Sequence, residues 1–354
     1  MQAERKDKNM KRAKIVTFGE LLLRFSKLDH MRLSQGDTFT CKYGGSEANV
    51  AVSLATLGDD VEYITRLPDN FIGHAGAQAL MQLGVNTRRV LYGGDRIGTY
   101  YFEPAAGMRA AKVIYDRAHS AYSELKPGMI PWRDILKDAD VLHVSGITAA
   151  ISQNAADATF EALDIADEMG VLVTYDINYR KNLWRYGADP RETLRRMLGR
   201  CDMMFGDAIE FEFLSQRKQP PFTAQDSSFE MQMDEYREWF DELHHQFPRC
   251  RKWLMGMRNM VASNHHLLTA LLYVADSQAP GQLLKAPIMD IPDVIDPVGV
   301  GDAFMAGLLH AIYAEDLPHN DVQAMNYALA AATLKNTING DFNLATDEEI
   351  RALL

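Results

Sequence analysis

The chain has 354 residues, 47% of them hydrophobic and 24% charged, and a net charge of −11. That supplies ample core for one large domain or two smaller ones, and the acidic balance excludes a general nucleic-acid or anionic-membrane binder. Three cysteines without short-range pairing (Cys41, Cys201, Cys250) exclude a disulfide framework, and no run reaches the ~18 apolar residues of a membrane span. The expectation is a cytoplasmic protein that works on small molecules, because a few well-placed arginines can still hold a small anion.

Residues 1–13 read as a disordered lead, and β-rich runs then alternate with helical ones. Lys14–Phe18 and Val61–Thr65 are predicted strands, while Glu47–Leu57 and Gly73–Leu83 are predicted helices closed by Gly58 and Gly84. Strands at Val141–Ser145, Val171–Asp176 and Met203–Phe205 follow, with helices Ala155–Met169 and Arg191–Leu198 between them. Short strands that are apolar on both faces and alternate with helices predict an α/β fold, with a mostly parallel sheet covered on both sides. Leu21–Lys42 and Val90–Ala121 break the alternation. Ile97–Glu103 and Lys112–His119 flank AAGMRA as a hairpin, which predicts a small antiparallel sheet lying over a cleft as a lid. Residues 216–248 begin as a polar linker and become an amphipathic helix, read as a surface elaboration. The His pairs at 244–245 and 265–266 lack further ligands at zinc spacing and read as surface residues.

The run from Asp296 to Ala314 carries the most chemistry. Gly299-Val300-Gly301-Asp302 stands directly before an apolar helical segment. Glycines expose backbone N–H groups, and the helix start adds unpaired donors and the positive end of the dipole, so the turn suits a phosphate. A carboxylate at that mouth suits a base that takes a proton from an attacking hydroxyl. A plain helix cap at Asp302 explains the same residues.

Four other segments qualify as site candidates. Gly44 and Gly45 precede a helix and let a ligand approach the backbone, and Asn49 offers a polyol both donor and acceptor. In TYDINYR, strand alternation puts Asp176, Asn178 and Arg180 on one face, at the carboxyl end of a parallel strand where open α/β sheets bind ligands. The hairpin carries Tyr100 on one arm and Tyr115-Asp116-Arg117 on the other, and period 2 puts Tyr115 and Arg117 on the same face. An aromatic wall beside a guanidinium suits a sugar chain ending in a carboxylate, while charges that blunt a sheet edge are the alternative. Asp207 and Glu210, three apart at a helix start, could face the waters of a Mg²⁺ ion, or answer the helix dipole alone.

From about Lys14 to the C-terminus these motifs resemble the ribokinase-like, or PfkB-type, carbohydrate kinases. The resemblance rests on GGSEANVAVSLATLG and DPVGVGDAFMAG in the family's order. Within that family, GTYYFEPAAGMRAAKVIYDRAHSA, YDINYRKNLW and KNTINGDFNLAT are most similar to the 2-keto-3-deoxygluconate kinases. The resemblance implies one three-layer α/β/α domain over 14–354, with lid strands from about 21–42 and 90–121. It implies ATP- and Mg²⁺-dependent phosphorylation of a sugar acid's primary hydroxyl. Asp302 matches the catalytic base and Gly299, Val300 and Gly301 the anion hole. Gly44, Gly45, Asn49, Tyr100, Tyr115, Arg117 and Arg180 match substrate contacts, Asp341 a further one, and Asn178 a nucleotide-side contact. Asp207 and Glu210 stand where the family has a metal-associated Asn-x-x-Glu, and Pro297 and Val300 depart from the family's usual Thr-Thr-Gly-Ala-Gly-Asp. A kinase for a neutral sugar such as fructose or ribose, or a catalytically silent sugar-binding protein of the same fold, are the alternatives. Exposed apolar positions on the lid suggest a homo-oligomer.

Overall fold

The computed structural model describes residues 13–28, 30–223, 230–276, 280–314, 316, 317 and 320–354. The expected lead at 1–13 lies outside them up to residue 12, as does part of the 216–248 segment. Among the described residues a nine-stranded sheet runs in the order Gln282–Lys285, His265–Val274, Lys252–Ala262, Met203–Gly206, Leu172–Asp176, Val141–Ser145, Lys14–Phe18, Asp60–Ile64, with Met289–Ile291 beside His265–Val274. From Lys252–Ala262 to Asp60–Ile64 neighbouring strands are parallel, and the strands at the other edge are antiparallel.

Period-2 alternation sorts the side chains into two cores. On Lys14–Phe18, Ile15 points into one and Val16 and Phe18 into the other; on Val141–Ser145, Val141 parts from Leu142 and Val144 in the same way. The first core is closed by helices Ser46–Thr56, Phe71–Gln82, Val300–Tyr313 and Asp321–Lys335. The second is closed by Trp132–Leu136, Gln153–Met169, Pro190–Leu198, Ala208–Ser215 and Met233–Gln246. Caps set the ends locally. Ser152 accepts from the Ala155 N–H at 3.1 Å, and Gly170 closes that helix in the left-handed region at φ 70°. The result is the expected three-layer α/β/α arrangement.

Three expectations need correction. Met233–Gln246 buries Tyr236, Trp239, Phe240 and Leu243, so it belongs to the helix layer and is not a surface elaboration. His266 is 2% exposed, and burial pushes its pKa down to about 4, so it is a neutral core residue. The lid is not wholly antiparallel. Its four strands run Thr40–Gly44, Leu22–Ser26, Gly98–Glu103, Lys112–Asp116, and the central pair is parallel. The chain leaves Leu22–Ser26, builds a strand and two helices of the main body, and returns in the same direction, as a crossover must. The lid's inner face carries Leu22, Arg24, Tyr100, Phe102 and Tyr115.

Candidate active site

A cleft of about 690 Å³ lies between that inner face and the carboxyl ends of the parallel strands. Leu22, Tyr100 and Tyr115 form its roof, Asp176, Asn178 and Arg180 one wall, and Gly299, Val300, Gly301 and Asp302 its floor. Gly45, Asn49 and Asp341 also line it. The structure thus gathers residues separated by most of the chain.

The floor is a helix start of the expected kind. Gly299 occupies the N-cap position of Val300–Tyr313 in the left-handed region (φ 83°), and no side chain caps the first turn. A Cβ on Gly299 would lie 2.1 Å from the Asp341 carbonyl oxygen, so only glycine fits. The first-turn N–H groups therefore face the cleft as anion donors. Val300 costs them nothing, since its N–H belongs to that turn.

Asp302 is not the cap. Its Oδ1 accepts from the Ser46 hydroxyl at 2.9 Å and its Oδ2 from Asn49 Nδ2 at 2.6 Å. Asn49 in turn accepts from the Gly45 N–H at 3.2 Å, and Ser46 accepts from Asn178 Nδ2 at 3.1 Å. The paired glycines and the aspartate are thereby parts of one hydrogen-bonded unit. Burial pushes the Asp302 pKa up to about 7; the Asn49 and Ser46 hydrogen bonds oppose the rise, and the Glu47 and Asp341 charges add to it. A carboxylate poised there suits proton transfer near neutral pH. Glu47 secures the other end of the turn: its Oε1 accepts from the Ser145 N–H at 3.0 Å and from the Ser145 and Thr148 hydroxyls, both at 2.6 Å.

Gly44 is required for another close approach, since a Cβ there would meet the Asp341 carboxylate at 2.1 Å. Asp341 accepts from the Tyr100 hydroxyl and, at 2.9 Å, from Arg24 Nη1. Arg24 Nη2 reaches Asp296 Oδ2 at 2.8 Å, and all three charged groups are 3% exposed. Arg24 was not among the candidates. The one signal for it is an arginine at an inward position of the strand Leu22–Ser26, which is otherwise apolar apart from Ser26. Ser46, inside the glycine motif, and Arg258, which lines the cleft from Lys252–Ala262, were missed as well.

Arg117 is a correction. It does not line the cleft; its Nε pairs with Glu20 at 2.6 Å in a buried bridge that Ser120 also joins. The strand ends at Asp116, yet Arg117 keeps to the side of Tyr115, its guanidinium 5.7 Å from the centre of that ring, and its Nη1 is a buried donor without a hydrogen-bond partner. Arg180 remains, with Tyr115, Glu210, Asp176 and Asp302 as its polar neighbours. The strand holding Asp176 also ends there, yet Asp176, Asn178 and Arg180 all line the cleft while Tyr179 turns away to stack on Phe213 at 4.2 Å. Asn178 adopts φ 38°, and its Oδ1 is a buried acceptor without a hydrogen-bond partner.

Asp207 and Glu210 both line the cleft, and backbone groups hold them there. They form a capping box: Asp207 Oδ1 accepts from the Glu210 N–H at 2.8 Å, and Glu210 Oε2 accepts from the Asp207 N–H at 3.0 Å. Glu210 Oε1 is taken by the Tyr179 N–H at 2.7 Å. Among the described residues no group of three or more His, Cys, Asp or Glu could hold a metal by itself. Burial and the Glu210 and Asp302 charges push the Asp176 pKa well up, and burial with Asp207 raises Glu210 to about 7. Such a wall fits a hydrated Mg²⁺ carried in on phosphates, not an all-protein cage.

No helix among the described residues is long and apolar enough to cross a membrane. The chain matches the pfkB family carbohydrate kinase profile over residues 12–341. A curated relative, the 2-dehydro-3-deoxygalactonokinase of Haloferax volcanii, is 27% identical over 342 residues, covering 97% of this chain and 96% of the relative. The crystal structure of 2-dehydro-3-deoxygluconokinase from Thermotoga maritima has a TM-score of 0.85 at 33% identity, covering 96% of this chain and 99% of that one. A PfkB family carbohydrate kinase from Listeria grayi gives 0.82 at 30% identity, covering 96% and 98%. The match runs through both the glycine turn and Asp302, and the chain belongs to the pfkB family of carbohydrate kinases.

Proposed function

We propose that the protein transfers the γ-phosphoryl group of ATP to the terminal hydroxyl of a keto-deoxy sugar acid, 2-keto-3-deoxygluconate first among them. The observation that carries this reading is Asp302, buried and oriented between an anion-binding helix start and a wall of Tyr100, Tyr115 and Arg180. The sugar hydroxyl oxygen attacks the γ-phosphorus, the bond to the β-γ bridging oxygen breaks, ADP leaves, and the hydroxyl proton passes to the Asp302 carboxylate. N–H groups of residues 299–301 meet the negative charge on the transferring group. Mg²⁺, when bound with ATP, would neutralise further phosphate charge, with its waters toward Asp176. Asn178 Oδ1 is the open acceptor for a hydroxyl or water on the same side.

The roof and Arg180 set the substrate class. A charge-assisted hydrogen bond from a guanidinium is worth about 1.5–3 kcal/mol, so Arg180→Leu should raise KM for the sugar acid by about tenfold or more and change kcat little. An unchanged KM would remove Arg180 from the carboxylate. The test of the function is ADP release with ATP and Mg²⁺ across a panel of gluconate- and galactonate-derived keto-deoxy acids, fructose and ribose. Turnover of the neutral sugars alone would favour the neutral-sugar reading, and no turnover at all the silent one. The lid's outer face carries an aromatic cluster of Phe25, Phe39 and Tyr101, with Phe39 43% and Ile114 56% exposed. We expect subunits to pair there, and light scattering that gives a monomer mass would refute it.

A further inference from the structure

Lys335 is a buried charge that the transfer mechanism above does not use. It ends the helix Asp321–Lys335 and is 0% exposed. Leaving an ammonium in a protein interior is costly unless its donors are met. Here backbone meets two of its three donors: Nζ donates to the Asp296 carbonyl at 3.1 Å and to the Ile338 carbonyl at 3.0 Å. Those carbonyls belong to the two segments that frame the anion turn. The Ile295 and Asp296 N–H groups donate to the Asn336 carbonyl at 2.8 and 3.1 Å, and Gly340 N–H donates to Asp296 Oδ2 at 3.0 Å. Lys335 Cε lies 3.4 Å from where a Gly299 Cβ would stand, so the side chain runs beneath the residue that starts the helix.

A neutral side chain could fill that space. An ammonium does more: it draws two carbonyl dipoles inward and places a positive charge under the turn where phosphoryl charge collects. Burial pushes its pKa down to about 8 and Arg24 adds to the fall, while Asp296, Asp341 and Asp302 oppose it, so the ammonium still prevails at neutral pH. We propose that Lys335 is a positioning residue, a built-in cation that holds the phosphate-binding turn in its working shape, so that the natural chain needs no added monovalent cation for this purpose. The inference deepens the kinase reading and rests on it.

The test uses Lys335→Ala, which leaves a hole ringed by carbonyl oxygens, and Lys335→Met, which fills the hole without charge. For both variants we expect kcat to fall by about tenfold or more, with sugar KM within about twofold of the natural value. Ammonium or potassium chloride should restore part of the rate in the alanine variant. Tetramethylammonium, too large for the hole, should not, and the methionine variant should respond to none of them. The natural chain should be indifferent to the cation. A second readout is the rise in melting temperature on adding ATP with Mg²⁺, which should shrink in the alanine variant and recover with ammonium. A folded methionine variant with natural kcat, or an alanine variant that ammonium and potassium leave unchanged, overturns the proposal. If the natural chain turns over no sugar, the proposed function fails, and the ATP-induced melting shift still decides the role of Lys335.

Discussion

Asp302→Asn should lower kcat by about a hundredfold to ten-thousandfold, the usual contribution of a positioned general base, while the sugar acid still binds. The variant should fold. Its amide oxygen can accept from Asn49 Nδ2 as Asp302 does now at 2.6 Å, and its amide nitrogen can donate to the Ser46 hydroxyl, which rotates to accept. The pH dependence follows from the same carboxyl. With its pKa pushed up to about 7 by burial, kcat/KM of the natural chain should climb with pH and level off above about 7. Glu210 is raised to about 7 too, so Glu210→Gln is the control, and it should keep the climbing limb.

Stability carries the opposite sign. An unfolded aspartate titrates at about 3.9, so the folded state binds this proton more tightly. The stability Asp302 contributes is therefore present at low pH and is lost as pH rises from about 4 to about 7. The asparagine variant has no such loss, so its melting temperature should gain on the natural chain's across that window. Near-natural kcat in that variant would remove Asp302 as the base.

What could be read from the sequence was whatever local pattern decides. Buried parallel strands are apolar on both faces, so Val141–Ser145 stands where its pattern put it. The glycine turn at Gly299 was legible because it answers a local demand, a helix start, whereas the carboxylate packed against Gly44 is the distant Asp341. Arg117 stands beside Tyr115 as period 2 put it, but no alternation shows that Glu20, 97 positions away, takes its guanidinium. The parallel pairing inside the lid depends on where the chain goes between its strands, which no alternation records. Asp207 and Glu210 had two readings from one spacing, and the structure accommodates both: the pair caps its helix and lines the cleft. Arg24 and Lys335 lay out of reach for a different reason. A charge in an apolar run says only that a partner exists, and the Asp341 partner of Arg24 stands 317 positions away.

That long-range tie leads to the second large effect. Arg24→Met keeps the length of the side chain's stem and removes the guanidinium that spans Asp296 and Asp341 at 2.8 and 2.9 Å. Both carboxylates are 3% exposed, so the variant leaves them facing each other in the interior. Stranding one partner of a buried ion pair costs about 3–5 kcal/mol, which in a domain of this size lowers the melting temperature by roughly 4–7 °C. Arg24→Lys should recover little, because one ammonium cannot repeat a fork whose two nitrogens serve two different acids. The deficit should shrink at low pH, where the Asp341 carboxyl, whose pKa burial already raises, takes up a proton. Activity should fall beyond what melting explains. The Asp296 side chain also accepts from the Val298 N–H at 3.1 Å and the Gly340 N–H at 3.0 Å, so its displacement deforms the turn that receives the phosphate. Asp341 also holds the Tyr100 hydroxyl at the roof, so sugar KM should rise with it. If Arg24→Met melts with the natural chain, this bridge does not tie the lid to the phosphate turn, and the two are held together by apolar packing of Leu22, Tyr100 and Phe102 against Val298.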